Sequence, residues 1–358
     1  QASHSIIVTG PTYLFARFVE KTTKADPITW LRFEGAGYCG AAKDWLAEDE
    51  TWYQGVALPA DGCAVAFGSL SLPKVTVTGL PAGVKFDKEA LRFTGVPTAC
   101  STEKKPFFTV KISVKNASGA TDVLVKNVYV KPLPTWTVGN FDGYHMEEGA
   151  TNGTFTATVG KTGKVSGKTK GGLADTTFSA KNFSEVFTLD GTNLIYAVDV
   201  TVSYKDPVTK KTVKATDTLY LMEDGGTKLG VIGGGDRDGC GSVGVQRAWD
   251  RKDLAYPAFD TKALKTPLAL DNGLTLKFGA KGKVTVGGKV NGVKVSGSTY
   301  VMPFAWHSTM TTVNLFAQVP VYVAPKKTTL PEGFCAVYDI LLTADEDGRF
   351  AEAAELAR

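Results

Sequence analysis

Residues 153–168 read GTFTATVGKTGKVSGK, and residues 273–289 read GLTLKFGAKGKVTVGGK. Each segment holds a strand-length run, a Gly-Lys turn, a second strand and a Gly-Lys stop. Internal self-similarity bounds the architecture before any other feature of a sequence does. Here it predicts that the C-terminal two-thirds of the chain is a duplicated β unit. The order after each copy agrees. Thr176–Ala180, Ile195–Tyr204, a turn at Pro207 and Thr216–Met222 follow the first. Val293–Tyr300, Val313–Val323, a turn at Pro325 and Ala336–Leu342 follow the second. Asn-Gly pairs at 272–273 and 291–292 are strong signals for two-residue hairpin turns. About five strands per copy cannot bury both faces alone. Two copies closing on one another would make a barrel or sandwich of about eight to ten strands.

Composition fits an all-β chain. Of 358 residues, 39 are Gly, and Thr, Val and Lys recur throughout, which is the vocabulary of strands and tight turns. Helical vocabulary is confined to the tail AEAAELAR. The net charge of +4 is small, and the lysines are dispersed among strands, as edge protection requires. A nucleic-acid partner would want a concentrated basic face, which is not present. No apolar stretch approaches the length of a transmembrane segment. The chain opens Gln1-Ala2-Ser3-His4, the start expected of a mature exported protein or of a trimmed one.

Residues 75–130 are strictly patterned. Val75-Thr76-Val77, Phe107–Val114 and Val123–Val130 alternate with period 2, and Asn116-Ala117-Ser118-Gly119 turns between the last two. That is the signature of a β-sandwich whose core draws on Leu80, Val84, Phe86, Leu91, Phe93, Phe108, Val110, Ile112 and Val114. Lys131-Pro132-Leu133-Pro134 reads as a stiff connector. The predicted domains are therefore 1–133 and 134–358, with copies at 134–243 and 244–358. Residues 1–70 are less legible. Three Trp between Trp30 and Trp52 read as core plugs more readily than as a binding face.

The run GLPAGVKFD (79–87), LRFTGVPT (91–98) and FFTVKISVKNASGATD (107–122) resembles the immunoglobulin-like repeat of bacterial surface proteins. Three turns fall in the repeat's order. The chain departs from it at Val96, in a Cys-containing insertion at 99–105, and throughout residues 1–70. The resemblance implies an Ig-like sandwich serving as a linker or adhesion module. The hairpin phrase of the duplicated region is similar to a repeat of exported proteins from Verrucomicrobia-like bacteria, and it brings no functional residues with it.

Chemistry is sparsely signalled. His4, His145 and His307 lie far apart, with no HExxH frame and no GxSxG elbow. The glycines at 230–235 lack the Lys-Ser/Thr of a phosphate loop. Glu147-Glu148 and Glu223-Asp224 are adjacent carboxylates in turns, and nothing sets them across a cleft. Asp236-Arg237-Asp238-Gly239 and Asp345-Glu346-Asp347-Gly348 carry the D-x-D-G core of calcium loops, so Asp236, Asp238, Asp345 and Asp347 are candidate calcium ligands. An acidic turn is the plainer reading of both. No other cofactor is indicated. Trp249, Tyr256, Tyr300 and Trp306 could form a sugar-stacking platform, although rings on strands more often fill a core.

Five cysteines occur without a CxxC pair, which argues against zinc and for disulfides in an exported protein. The expected pairs are Cys240–Cys335, where the ends of the two copies would meet, and Cys39–Cys63, leaving Cys100 free. The sequence thus reads as an all-β protein, an Ig-like sandwich followed by a duplicated barrel or sandwich, secreted or held at the cell surface. The expected role is non-catalytic adhesion, carbohydrate binding or structure, with a cell-surface glycan or protein as partner. The alternative is a polysaccharide-active enzyme or an accessory subunit of one.

Overall fold

The computed structural model describes residues 28–34, 37–41, 48–59, 67–68, 73–117, 119–147, 150–188, 191–224, 227–232, 241–247, 264–308, 313–325, 333–345 and 349–356. Strands dominate, and the helical elements among the described residues are single 3-10 turns. The chain divides into two compact units. One comprises Gln1–Tyr53 and Leu58–Lys131, the other Gln54–Ala57 and Pro132–Arg358.

The first unit is a small β-sandwich. It contains β1 (Thr29–Glu34), β2 (Gly37–Ala41), β3 (Glu50–Tyr53), β4 (Phe67–Gly68), β5 (Lys74–Thr78), β6 (Val84–Asp87), β7 (Arg92–Gly95), β8 (Phe108–Lys115) and β9 (Thr121–Lys131). One sheet runs β3-β9-β8-β5, with β3 parallel to β9. The hairpin β6–β7 and the sheet β2-β1-β4 complete the unit. Alternation on β8 sends Phe108, Val110, Ile112 and Val114 to one buried face. They pack with Trp30, Trp52, Val84, Phe93, Leu124, Val128 and Val130, and Leu80, Phe86 and Leu91 lie partly buried against them. Trp30 and Trp52 are thus core residues. Each ties its ring N–H to a carboxylate, Asp122 and Glu50 respectively, both at 2.8 Å. Gly83 and Gly95 both have positive φ where the β6–β7 hairpin opens: a Cβ on Gly83 would strike Val96 O, and one on Gly95 would strike Gly83 O.

The second unit opens with β10 (Gly139–Glu147), β11 (Ala150–Val159), β12 (Val165–Gly171), β13 (Thr176–Ala180), β14 (Glu185–Thr188), β15 (Leu194–Lys205), β16 (Thr212–Asp224), β17 (Thr227–Ile232) and β18 (Gly241–Gln246). The sheet order is β13-β12-β11-β10-β18-β17-β16-β15-β14, and β13 also pairs with β15. That pairing closes an antiparallel ring from which only β14 is left over. Inside lie Phe141, Phe155, Val159, Val165, Phe178, Val200 and Leu219, all buried. Phe155 and Phe178 stack at 5.6 Å. Gly167 and Gly244 supply the room those rings need, because a Cβ on either would overlap a ring. The outward faces of β11 and β12 carry Thr154, Thr156, Thr158, Ser166, Lys168 and Lys170. One end is sealed by Trp136, Phe183 and Tyr196, packed edge to face. Gln54–Ala57 docks there: Phe183 donates its N–H to Gly55 (2.9 Å), and Ala57 donates to Phe183 (3.0 Å).

The chain then builds β19 (Leu268–Ala269), β20 (Leu274–Phe278), β21 (Lys283–Val290), β22 (Val293–Tyr300), β23 (Met302–Ser308), β24 (Val313–Val323), β25 (Phe334–Ala344) and β26 (Phe350–Glu355). These form two four-stranded sheets, β19-β20-β21-β22 and β23-β24-β25-β26. Leu274, Leu276, Val284, Val286 and Val295 from one sheet meet Leu315, Val319, Ile340, Leu342 and Phe350 from the other in one buried core.

The duplicated phrase forms the same hairpin twice. Val159 faces Val165, and Phe278 faces Val284. Gly160 N–H donates to Lys164 O and Gly279 N–H to Lys283 O, both at 2.8 Å. The expectation that the two copies close on one another is corrected, however. Copy one closes on itself through β13 and β15, because it also owns β10, β17 and β18. Copy two folds its described strands into two four-stranded sheets stacked over a core of their own. The predicted limit between copies, 243/244, falls within β18.

Candidate functional site

A groove with a volume of about 520 Å³ runs along the outer face of β10, β11 and β12 and is walled by the C-terminal end of β22. Alternation on β11 turns Thr154, Thr156 and Thr158 into it, and alternation on β12 adds Ser166 and Lys168. Ser298, Thr299 and Tyr300 come from β22. The fixed element is Arg247, just past β18. Its Nε donates to Asp142 Oδ2 at 2.6 Å and its Nη2 to Asp142 Oδ1 at 2.9 Å. Its backbone N–H donates to Asn140 O at 2.6 Å. The guanidinium carbon lies 3.5 Å from the centre of the Tyr300 ring. A two-pronged ion pair with a ring against the guanidinium plane is a rigid arrangement that only Arg provides. The groove thus offers a row of hydroxyls, a lysine and an immobilised cation. The one carboxylate lining it, Asp142, is committed to Arg247. Among the described residues that line the groove, hydroxyl and basic groups predominate.

A second cluster sits inside the barrel, at the end opposite Phe183. His145 Nδ1 is 2.8 Å from Ser242 Oγ, and Nε2 is 3.3 Å from Glu147 Oε1. Glu147 also accepts the Leu173 N–H at 3.1 Å. Burial works to raise the Glu147 carboxyl, but the Leu173 amide and His145 act against it and leave it below its usual value. Serine, histidine and carboxylate in a row have the connectivity of a hydrolytic triad. Ser242 is 2 % exposed, however, which leaves no approach for a carbonyl carbon. The row fastens the barrel mouth.

Of the predicted ring platform, Tyr300 lines the groove, with one face against Arg247. Trp306 lies on β23 opposite Leu315 with only its backbone described, and Trp249 and Tyr256 fall outside the described residues. Among the calcium candidates, Asp345 accepts the Arg349 N–H at 2.8 Å and so shapes its own turn. Asp236, Asp238 and Asp347 lie outside the described residues. Among the described residues, no three His, Cys, Asp or Glu side chains are placed to hold a metal ion. Cys335 and Cys100 are free thiols. Cys335 packs with its Sγ 3.8 Å from Gly153 O, and burial pushes its pKa up to about 12. Cys39 is on β2 with only its backbone described, and Cys63 and Cys240 lie outside the described residues.

Sequence reasoning missed Arg247 and Asp142, which are 105 positions apart, and Ser242 and His145, which are 97 apart. No local pattern connects either pair. Only the registers of β10 with β11 and β18 do.

No helix among the described residues is long and apolar enough to cross a membrane. No family model matches the chain, and no curated protein matches it. Solved structures similar to it include extracellular cadherin domains 3–6 of protocadherin gamma B2, at 9% identity and a TM-score of 0.20, covering 83% of this chain and 70% of that one. The human desmocollin-1 ectodomain is similar at 9% identity and a TM-score of 0.19, covering 86% of this chain and 77% of that one. Such scores lie below the level at which two chains share a fold.

Proposed function

We propose that this chain is an exported, non-catalytic binding module that holds a glycan in the groove between β10–β12 and β22. One observation carries the reading. The groove presents a ladder of hydroxyls beside Lys168 and an Arg247 pinned by Asp142 and Tyr300. Sugar hydroxyls donate and accept in pairs, and a prepositioned polar surface lowers the cost of ordering on binding. Export rests on the resemblance of residues 79–122 to the immunoglobulin-like repeat.

The test is a glycan array probed with the full chain, followed by calorimetry on any hit. Thr156→Val and Lys168→Ala line the groove without holding the fold, and each should weaken binding about tenfold. Binding unchanged in both variants, or an array without hits, rejects the groove as a glycan site.

A further inference from the structure

Two hairpin tips project from the unsealed end of the barrel. One joins β12 to β13 and exposes Leu173; the other joins β15 to β16 and exposes Val208. At 80 % and 86 % exposure these exceed every other large apolar side chain described. Register puts the tips side by side. Thr176 pairs with Tyr204, so both turns leave the barrel at the same end of one antiparallel ladder. Scattered exposed apolar residues are ordinary on a protein surface, but two at neighbouring apices are a patch.

Both apices are held rigidly. The Leu173 amide is bonded to Glu147. Asp206 Oδ1 accepts the N–H groups of Val208 (2.9 Å) and Thr209 (2.6 Å), and Lys210 Nζ donates to Pro207 O at 2.7 Å. Such turns present a side chain to solvent instead of folding it back. Around Val208 the charge is one-sided. Lys205, Lys210, Lys211 and Lys214 flank Val208, and the only acid in that stretch, Asp206, is occupied within the turn. Lys170 adds a cation beside Leu173, and Asp175 there accepts the Gly171 N–H.

An apolar apex at Val208 among four lysines, with a second apolar apex beside it, matches the boundary of an anionic bilayer, where the apex enters the acyl edge and the ammonium groups meet headgroup phosphates. We infer that this end of the barrel docks on anionic membrane surfaces, with Leu173 and Val208 inserted shallowly and Lys205, Lys210, Lys211 and Lys214 against the headgroups. This is independent of the groove.

The test is co-sedimentation of the full chain with vesicles of phosphatidylcholine alone and of phosphatidylcholine mixed with phosphatidylglycerol. Binding is expected only to the mixed vesicles and should fall as salt is raised. Lys210→Glu combined with Lys211→Glu should lower partitioning about tenfold or more. Leu173→Asp with Val208→Asp should do so as well, with thermal unfolding unchanged because both side chains are already in water. Val208→Trp should shift its fluorescence to the blue on mixed vesicles alone. A chain that stays in the supernatant with both vesicle types overturns the inference, as does binding unaffected by either pair of substitutions. So does self-association lost in Val208→Asp without any lipid binding, which would identify the patch as a contact between copies.

Discussion

The barrel (residues 139–246) and the sandwich (268–355) begin from one hairpin phrase and reach different closures. In both, a Gly-x-x-Gly-Lys turn joins two strands whose alternate residues face a core. What differs lies outside the phrase. The barrel has β10 and β18 on one side of its hairpin and a β13 that bonds directly to β15, so every strand of the ring has two neighbours. The sandwich leaves β22 at a sheet edge and hides its apolar faces by stacking two sheets. A repeated sequence therefore specifies a local unit, and the strands that flank it decide whether the unit closes by hydrogen bonds or by packing.

Core truncation tests this division most strongly. Phe155→Ala should destabilise the barrel by about 3–5 kcal/mol, since it removes a fully buried ring and the stacking contact that ring makes with Phe178. Leu276→Ala should cost the sandwich about 2–5 kcal/mol. Amide hydrogen exchange can follow each region separately. Loss of protection spreading equally through both from either substitution would show one shared core and break the comparison.

Closure itself comes next. Thr177 sits in the middle of β13, between β12 and β15. Proline there should cost about 3 kcal/mol or more by deleting a ladder bond, with protection lost in β13 and β15 and kept in β20–β22. Equal loss in β20–β22 would contradict independent closure.

The turns offer a finer measure. Gly163 and Gly282 both have positive φ, at 81° and 69°. Alanine at Gly282 should cost about 1–2 kcal/mol for the left-handed backbone. Alanine at Gly163 should cost more, because its Cβ would also press on the Phe183 ring and the Gly55 carbonyl. Equal melting temperatures for the two variants would mean that the sealed end adds nothing to this turn.

The smallest effect concerns pH. Glu147 titrates below its ordinary value of 4.5 when folded. It therefore lends stability above its unfolded pKa and loses it as pH falls through the folded one. Wild type should exceed Glu147→Gln in melting temperature near neutrality, and the gap should close below about pH 4. A gap that widens in acid would reverse the assignment.

Much of this was written in the sequence. Alternation gave the β8 face because period 2 is local, and the hairpin phrase gave both turns because glycine and lysine positions are local as well. The ring was not legible. The pairing of Thr176 with Tyr204 bridges a loop and a further strand, and nothing near either residue encodes it. The groove stayed hidden for the same reason. Tyr300 was singled out as a ring, but its partner Arg247 meets it only through tertiary structure. Nor does anything in the sequence show that Cys335 rests against Gly153 of the barrel hairpin, 182 positions away.

The segment Gln54–Ala57 makes the two units a poor target for simple dissection. The chain spends four residues in the second unit between stretches that belong to the first. A cut at 131/132, the obvious place to divide the protein, would strip the barrel of the strand fragment that satisfies Phe183. The C-terminal fragment alone should then fray at its sealed end and regain protection when the N-terminal fragment is supplied in trans. The interlacing also orders events on the ribosome: Gln54–Ala57 is synthesised before the barrel end it bonds to, so it must wait, tethered, for a partner that does not yet exist.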